Sequence, residues 1–172
     1  MKSAQSIPRS LGCVAIVCAF ALLPASSRAV EPVAVAVAEF DYVDTSGEVV
    51  DQTPEHTQRL RDLARSIREG LDQSGRYRIV YLACDPSPCS AGGTDPAELI
   101  AKARAVGARL LLYGGIQKMS TLIQYGNAEV VDIEADRLVF DQNISFRNDN
   151  DESWQRAAKF LVSKLMKEKL VQ

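Results

Sequence analysis

The stretch Val33–Tyr42 restricts the fold of this chain more than any other part of its sequence. Val33, Val35 and Val37 fall on one face of an extended chain, and Ala34, Ala36, Ala38 and Phe40 on the other. Both faces are apolar until Glu39, which is the pattern of a strand covered on both sides inside an α/β sheet. The alanine face is shallow, so a helix is expected to pack closely on it.

Beyond Tyr42 the chain alternates between helical and extended patterns. Asp41–Gln52 is polar, contains Gly47, and reads as a loop. Thr53-Pro54 opens a helix, with threonine as N-cap and proline in the first turn, where its missing N–H costs nothing. Leu60, Leu63, Ile67 and Leu71 form its apolar stripe, Gly75 stops it, and Tyr77–Ala83 is the second strand. After a loop with Pro86, Pro88 and Gly92-Gly93, Asp95 and Glu98 form a capping box for a helix ending at Gly107. Arg109–Met119 is a third strand whose Gly114-Gly115 pair predicts a bulge or a close backbone approach. Leu122–Ile133 and Leu138–Phe146, joined through Glu134-Ala135-Asp136, read as a hairpin. Asp149 and Glu152 form another capping box for a last helix running to about Leu170, with Trp154, Ala158, Leu161 and Leu165 facing the core and Lys164, Lys167 and Lys169 near its C-terminal end. The order β-α-β-α-β-β-β-α predicts an α/β fold with an α+β tendency: one mixed sheet with helices packed on it.

The first 29 residues have a different character. Lys2 and Arg9 precede the apolar run Leu11–Pro24, and Ser27 and Ala29 supply the small residues of a cleavage site before Val30. A run of that length spans about 21 Å as a helix, short of a hydrocarbon core of about 30 Å. Residues 1–29 are therefore expected to be a cleaved signal peptide and 30–172 a single soluble domain without a membrane span. Cys13 and Cys18 lie inside the apolar run, a poor fit to lipid attachment. Cleavage removes Lys2, Arg9 and Arg28 and no acid, leaving 17 bases against 22 acids, a net charge of −5 over 143 residues. No basic excess remains to neutralise phosphates, so nucleic acid is not an expected partner.

The segments Gly107–Ile116, Val130-Val131-Asp132 and Val139-Phe140, with Val35–Phe40 as the opening strand, resemble the amino-terminal domain of the periplasmic TolB family. Lys118–Ile123 and Asp149–Trp154 resemble an uncharacterised family of secreted proteobacterial proteins, and this resemblance spans most of residues 33–165. The TolB-like resemblance implies a protein-contacting module of the Gram-negative envelope, located in the periplasm. The uncharacterised family brings no activity with it.

Candidate sites are few. Cys84 and Cys89 are the cysteines left after cleavage, in a compartment where disulfides persist. A structural bond fits them best. A redox pair lacks the C-x-x-C spacing and a helix N-terminus, and a zinc site wants three or four ligands. Ligands in sheets of this kind favour the crevice beyond the carboxyl ends of the parallel strands. That crevice is expected to gather Asp41, Asp44, Thr45, Ser46, Asp51, Asp85, Lys118 and Ser120 as a rim for a ligand or partner. Asp41, Asp44, Glu48 and Asp51 read as a solvated acidic loop, since their offsets do not match an EF-hand loop. Lys118 or Arg109 is the expected partner of Glu39. His56 is expected exposed or half-buried, with no nucleophile or G-x-S-x-G elbow to serve, and Trp154 is expected in the core. With no assembled catalytic set, cofactor motif or metal cluster, the expectation is a non-catalytic periplasmic binding or accessory protein that contacts another envelope protein, through its fifth strand or another unpaired sheet edge. A small-ligand sensor is the first alternative and a thiol-disulfide oxidoreductase the second.

Overall fold

The computed structural model describes residues 31–171. The expected signal peptide and its expected cleavage point between Ala29 and Val30 lie outside these residues. The elements are β1 (Val33–Val37), β2 (Asp41–Asp44), α1 (Thr53–Gln73), β3 (Tyr77–Val80), α2 (Pro96–Ala105), β4 (Leu110–Lys118), β5 (Ile123–Asp132), β6 (Arg137–Arg147) and α3 (Asp151–Leu165). No helix among the described residues is long and apolar enough to cross a membrane.

One mixed sheet carries the strands in the order β3-β1-β4-β5-β6, with β2 also paired to β4. β1 runs parallel to both β3 and β4, and the β4-β5-β6 meander is antiparallel. The mixed α/β expectation therefore holds, with one addition. Asp41–Asp44, read from sequence as loop, is a strand parallel to Gly115–Lys118 of β4. β1 and β2 lie along β4 as one strand interrupted at Ala38–Phe40. The Ala38 N–H donates to the Leu112 carbonyl at 2.9 Å, while Glu39 turns away to bridge Ser90. Acids at both ends disguise this strand in the sequence; its pairing comes from β4.

α1 and α3 pack together on one face. Their stripes close the main core with Val35, Val37, Leu110, Leu112, Ile116 and Val130. α2 alone covers the other face, where Leu99 and Ala103 meet Ala36, Ala38 and Leu111. This is the close helix approach that the alanine face implied. The outer face of β5 and β6 is left open: Gln124, Gly126, Ala128 and Val130 are buried, whereas Ile123, Tyr125, Asp141, Asn143 and Ser145 are exposed.

Local details refine the sequence reading. α1 is capped from Gln52, not Thr53; Asp51 takes the Thr53 N–H at 2.9 Å instead. Asp95 caps α2 as expected, accepting from the N–H groups of Ala97 and Glu98. The cap of α3 is Asn150 rather than Asp149, because Asp149 is drawn inward. α3 ends at Leu165, short of Leu170. There the chain turns so that Leu170 reaches the core, while the Arg76 guanidinium donates to the Met166 and Glu168 carbonyls. Gly114 is a close approach: a Cβ there would meet the Asn127 carbonyl and lie 2.7 Å from the Phe40 ring. The bulge lies elsewhere, between Val130 and Val131.

Candidate functional site

The residues expected to form one rim divide into two groups. Asp41 belongs to the first. Its carboxylate accepts from the Ser90 hydroxyl at 2.6 Å and the Gly92 N–H at 2.7 Å, tying β2 to the segment just after Cys89. Cys84 and Cys89 are joined as a disulfide with Cα atoms 5.6 Å apart, and Asp85 is exposed within the loop they close. Glu39 pairs with Arg68 at 2.6 Å, and Arg68 also donates to the Val37 carbonyl. Neither Lys118 nor Arg109 is its partner. Arg109 instead grips buried Asp132 through two hydrogen bonds of 2.8 and 3.0 Å and reaches Glu134.

Asp44, Thr45, Ser46, Asp51, Lys118 and Ser120 belong to the second group. The Thr45 N–H and hydroxyl both donate to the Lys118 carbonyl, Asp44 accepts from the Ser46 N–H, and Ser120 accepts from the N–H groups of Leu122 and Ile123. The acids of this loop are engaged one at a time: Asp44 on Ser46, Glu48 on Lys118 and Asp51 on Thr53. They do not converge on a common point.

Beneath this loop lies a polar hub that the sequence reading missed. Lys118 is only 1% exposed, and its ammonium reaches Glu48, Gln52 and Asp149. Asp149 accepts from His56 Nε2 at 2.7 Å, Arg59 at 2.9 Å, the Trp154 indole at 3.2 Å and Lys118 at 3.0 Å. Burial opposes ionisation of Asp149, but its donors, His56 and Lys118 foremost, outweigh that and hold its carboxyl below the usual range. Burial likewise acts against the Lys118 charge, and hydrogen bonds to Glu48 and Asp149 overcome it, raising the ammonium pKa. The Tyr42 ring stacks on His56 at 4.6 Å, with Trp154 beyond. Burial, with Asp44 and Asp149 nearby, pushes the Tyr42 phenol upward. Two helix N-termini, those of α1 and α3, meet at this carboxylate, and their partial positive charge favours it.

His56 is therefore buried, against expectation. The signal was present in phase: His56 precedes Leu60 by four residues on the α1 stripe, and Lys118 continues the parity of Leu110, Leu112 and Ile116. The charged groups of the hub are matched by its own members, while the buried Tyr42 hydroxyl has no hydrogen-bond partner among the described residues. The ion pair and hydrogen bond from Lys118 to Glu48 and Gln52 anchor the 45–52 loop.

The surface above the hub is apolar. Val43, Val49 and Val50 from β2 and its loop, with Met119, Leu122 and Ile123 from the β4–β5 turn, are all exposed, Val49 fully and Leu122 by 61%. The Thr45–Lys118 hydrogen bonds and the Glu48–Lys118 ion pair hold the two loops side by side. Asp44 and Asp51 stand exposed among these side chains.

Among solved structures, the hypothetical protein CT253 from Chlamydia trachomatis is similar over 78% of this chain and 95% of its own, at 11% identity and a TM-score of 0.53. The PelC dodecamer from Paraburkholderia phytofirmans aligns over 79% of this chain and 86% of its own, at 14% identity and a TM-score of 0.49. TolB from Acinetobacter baumannii aligns over 80% of this chain but 28% of its own, at 11% identity and a TM-score of 0.48. At such identities the likeness to CT253 is one of fold. A comparison with curated protein sequences finds no match. The profile of a family named DUF3280 and described as "Protein of unknown function (DUF2380)" matches residues 33–166, from β1 through the end of α3. The chain belongs to this family.

Proposed function

We propose that this protein is a non-catalytic accessory protein of the cell envelope that binds a partner protein through the apolar end formed by the 43–50 and 119–123 segments. The observation that carries the reading is the cluster of exposed Val43, Val49, Val50, Met119, Leu122 and Ile123, held in place by a buried ionic hub. Exposed apolar side chains gathered at one end of a fold mark interaction sites. Its exposed acids, Asp44 and Asp51, favour a partner surface with basic residues around an apolar centre and disfavour an anionic membrane surface. A periplasmic address is supported by the leader-like sequence of residues 1–29 and by the Cys84–Cys89 bond, which an oxidising compartment maintains. The small-ligand alternative has weaker support: the apolar cleft beside α2, bounded by Leu99, Ile100 and Tyr113, holds about 120 Å³, below the few hundred Å³ usual for ligand pockets, and the larger groove beside α1 is open and lined mostly by charged side chains.

Affinity capture from a periplasmic extract, comparing the native chain with a Val49→Glu/Leu122→Glu variant, tests the proposal. A protein recovered by the native chain and lost by an equally stable variant is the expected result. Equal recovery by both, or recovery of nothing by the native chain, refutes it.

A further inference from the structure

A groove follows the β3 margin of the sheet beneath the outer flank of α1. Its larger part encloses about 670 Å³ between Arg61, Arg65 and Glu69 of α1 and Ile79 and Tyr81. It continues into a hollow of about 290 Å³ against the disulfide loop, and the two parts share Glu39, Arg68 and Tyr81. These volumes are in or near the range of ligand clefts. The groove opens at the carboxyl ends of the parallel strands β1 and β3, where sheets of this kind bind their ligands.

Its floor offers backbone groups. The Val33 N–H donates to the Arg76 carbonyl, with Val33 opposite Tyr77 and Val35 opposite Ile79. In a parallel ladder that parity turns Arg76, Arg78 and Val80 toward β1, and the N–H and C=O of Ile79 away from the sheet. β3 is the outermost strand on this side among the described residues, so Ile79 presents a free donor and acceptor. The start of the strand is flanked by the Met166 and Glu168 carbonyls bound to Arg76, so the margin is open from Ile79 onward.

Its wall carries a charge order. α1 runs back against β1 and β3, which places Asp72 toward the start of β3 and Arg61 toward and beyond its end. Arg68 is already engaged by Glu39 and the Val37 carbonyl. Arg65 donates to Asp62 on its own helix in an exposed pair that a competing carboxylate can share, and Arg61 makes no ion pair among the described residues; the two mark the basic end of the groove, next to Tyr81, which is 72% exposed.

We infer that this groove takes an extended segment of a partner polypeptide as an added strand on β3, with a carboxylate side chain of that segment facing Arg61 and Arg65. The inference rests on the proposed binding role and adds a second contact to it. Main-chain pairing supplies attachment, and the arginine pair supplies selection. A second copy of this chain fits less well. The free margins it offers are β3, which brings the same Arg61 and Arg65 toward their own copies, and β6, whose residues on the side of its own helices are Phe140, Gln142, Ile144 and Phe146, none of them acidic. The α1 overhang also leaves room for one extended chain rather than for a sheet edge carrying its own helices.

The test is an NMR titration of the ¹⁵N-labelled protein with a nine-residue peptide alternating valine with charged residues, glutamates in one half and lysines in the other. An analogue with glutamine in place of glutamate serves as comparison. The expected result is movement of the Ile79 and Tyr81 amides, slowed exchange at Ile79, and binding about tenfold weaker for the analogue, the worth of two exposed ion pairs. Arg61→Glu/Arg65→Glu should produce the same tenfold loss for the glutamate peptide. Ile79→Pro, which removes an N–H not used by the β1–β3 ladder, should abolish binding; because the Ile79 side chain packs against the main core, Ile79→Ala, which loses the same packing but keeps the N–H, is the control and should still bind. Unmoved Ile79 and Tyr81 amides, equal binding of the two peptides, or shifts that follow protein concentration alone through self-association would each overturn the inference. If the peptide fails while the Val49 and Leu122 substitutions still abolish partner capture, the groove is excluded and the apolar end retains its role.

Discussion

Removing the Asp149 carboxylate probes the hub directly. Asp149→Ala leaves Lys118 with Glu48 and Gln52 only, strands the Trp154 indole N–H, and takes from His56 and Arg59 a shared acceptor. Breaking a buried ion pair by deleting one partner costs about 3–5 kcal/mol. Asp149 is 8% exposed and Lys118 1%, so solvent offers little compensation. Against a total stability of roughly 5–15 kcal/mol the loss is large. At about 3–5 °C per kcal/mol for a chain of this size, the melting temperature should fall by about 10–20 °C at pH 7. Trp154 is the single tryptophan and is buried beside the substitution, so its fluorescence in urea and thermal melts reports on this region. The effect also has a pH signature. Asp149 titrates lower in the folded protein than in the unfolded chain, so its stabilisation is complete above the unfolded pKa of about 4. It is lost as pH falls from there through the depressed folded value. The native protein should therefore weaken between about pH 5 and pH 2 more steeply than the variant. A loss below about 1 kcal/mol at pH 7, or parallel acid profiles for both proteins, would show that the hub does not anchor the 45–52 loop.

Three further outcomes are expected. Cys84→Ala/Cys89→Ala opens a six-residue loop and should cost about 2 kcal/mol in denaturant titrations, with no change on adding reductant to the variant; a variant as stable as the native protein counts against the staple. Gly114→Ala forces a methyl group against the Asn127 carbonyl and the Phe40 ring, so a loss of about 1–3 kcal/mol is expected by the same measurement, and a neutral result would mean that β4 and β5 can part there freely. The Tyr113 phenol is pushed up to about 12 by burial and by its 2.7 Å hydrogen bond to Glu129. The phenolate absorbance that disappears in Tyr113→Phe should titrate near that value, and ionisation near 10 would contradict the contact.

The elements that carry regular apolar patterns were legible in the sequence: β1, the stripes of α1 and α3, the β5–β6 hairpin, and the close fit of α2 against Ala36 and Ala38. β2 was not, because Asp41 and Asp44 are polar and the strand exists through its pairing with β4. The hub was illegible for a related reason. His56 and Asp149 are 93 residues apart, and ionic partners at that distance leave no local period. Lys118 was selected as a rim residue and lies at the right end of the sheet, yet its side chain points inward because it continues the buried parity of β4. The expected crevice also divided. Asp41 secures the disulfide segment, while the residues near Asp44, Thr45 and Ser120 frame the apolar end. Loop residues of these types show where chains turn but not which loops become neighbours.

The placement of Asp149 bears on the order in which the chain can assemble. α1 is complete by residue 73, and β4 by residue 118, yet both wait for a carboxylate that comes after the last strand. A chain delivered from its N-terminus therefore emerges with His56 unmatched, and Lys118 held by Glu48 and Gln52 alone, until nearly all of it is free. Contacts of such separation form late, after their loop-closure cost has been met. The 45–52 loop, and with it the apolar end, should therefore become ordered only in the final steps of folding. A fragment ending before Asp149 would keep several strands but lack a fixed 45–52 loop.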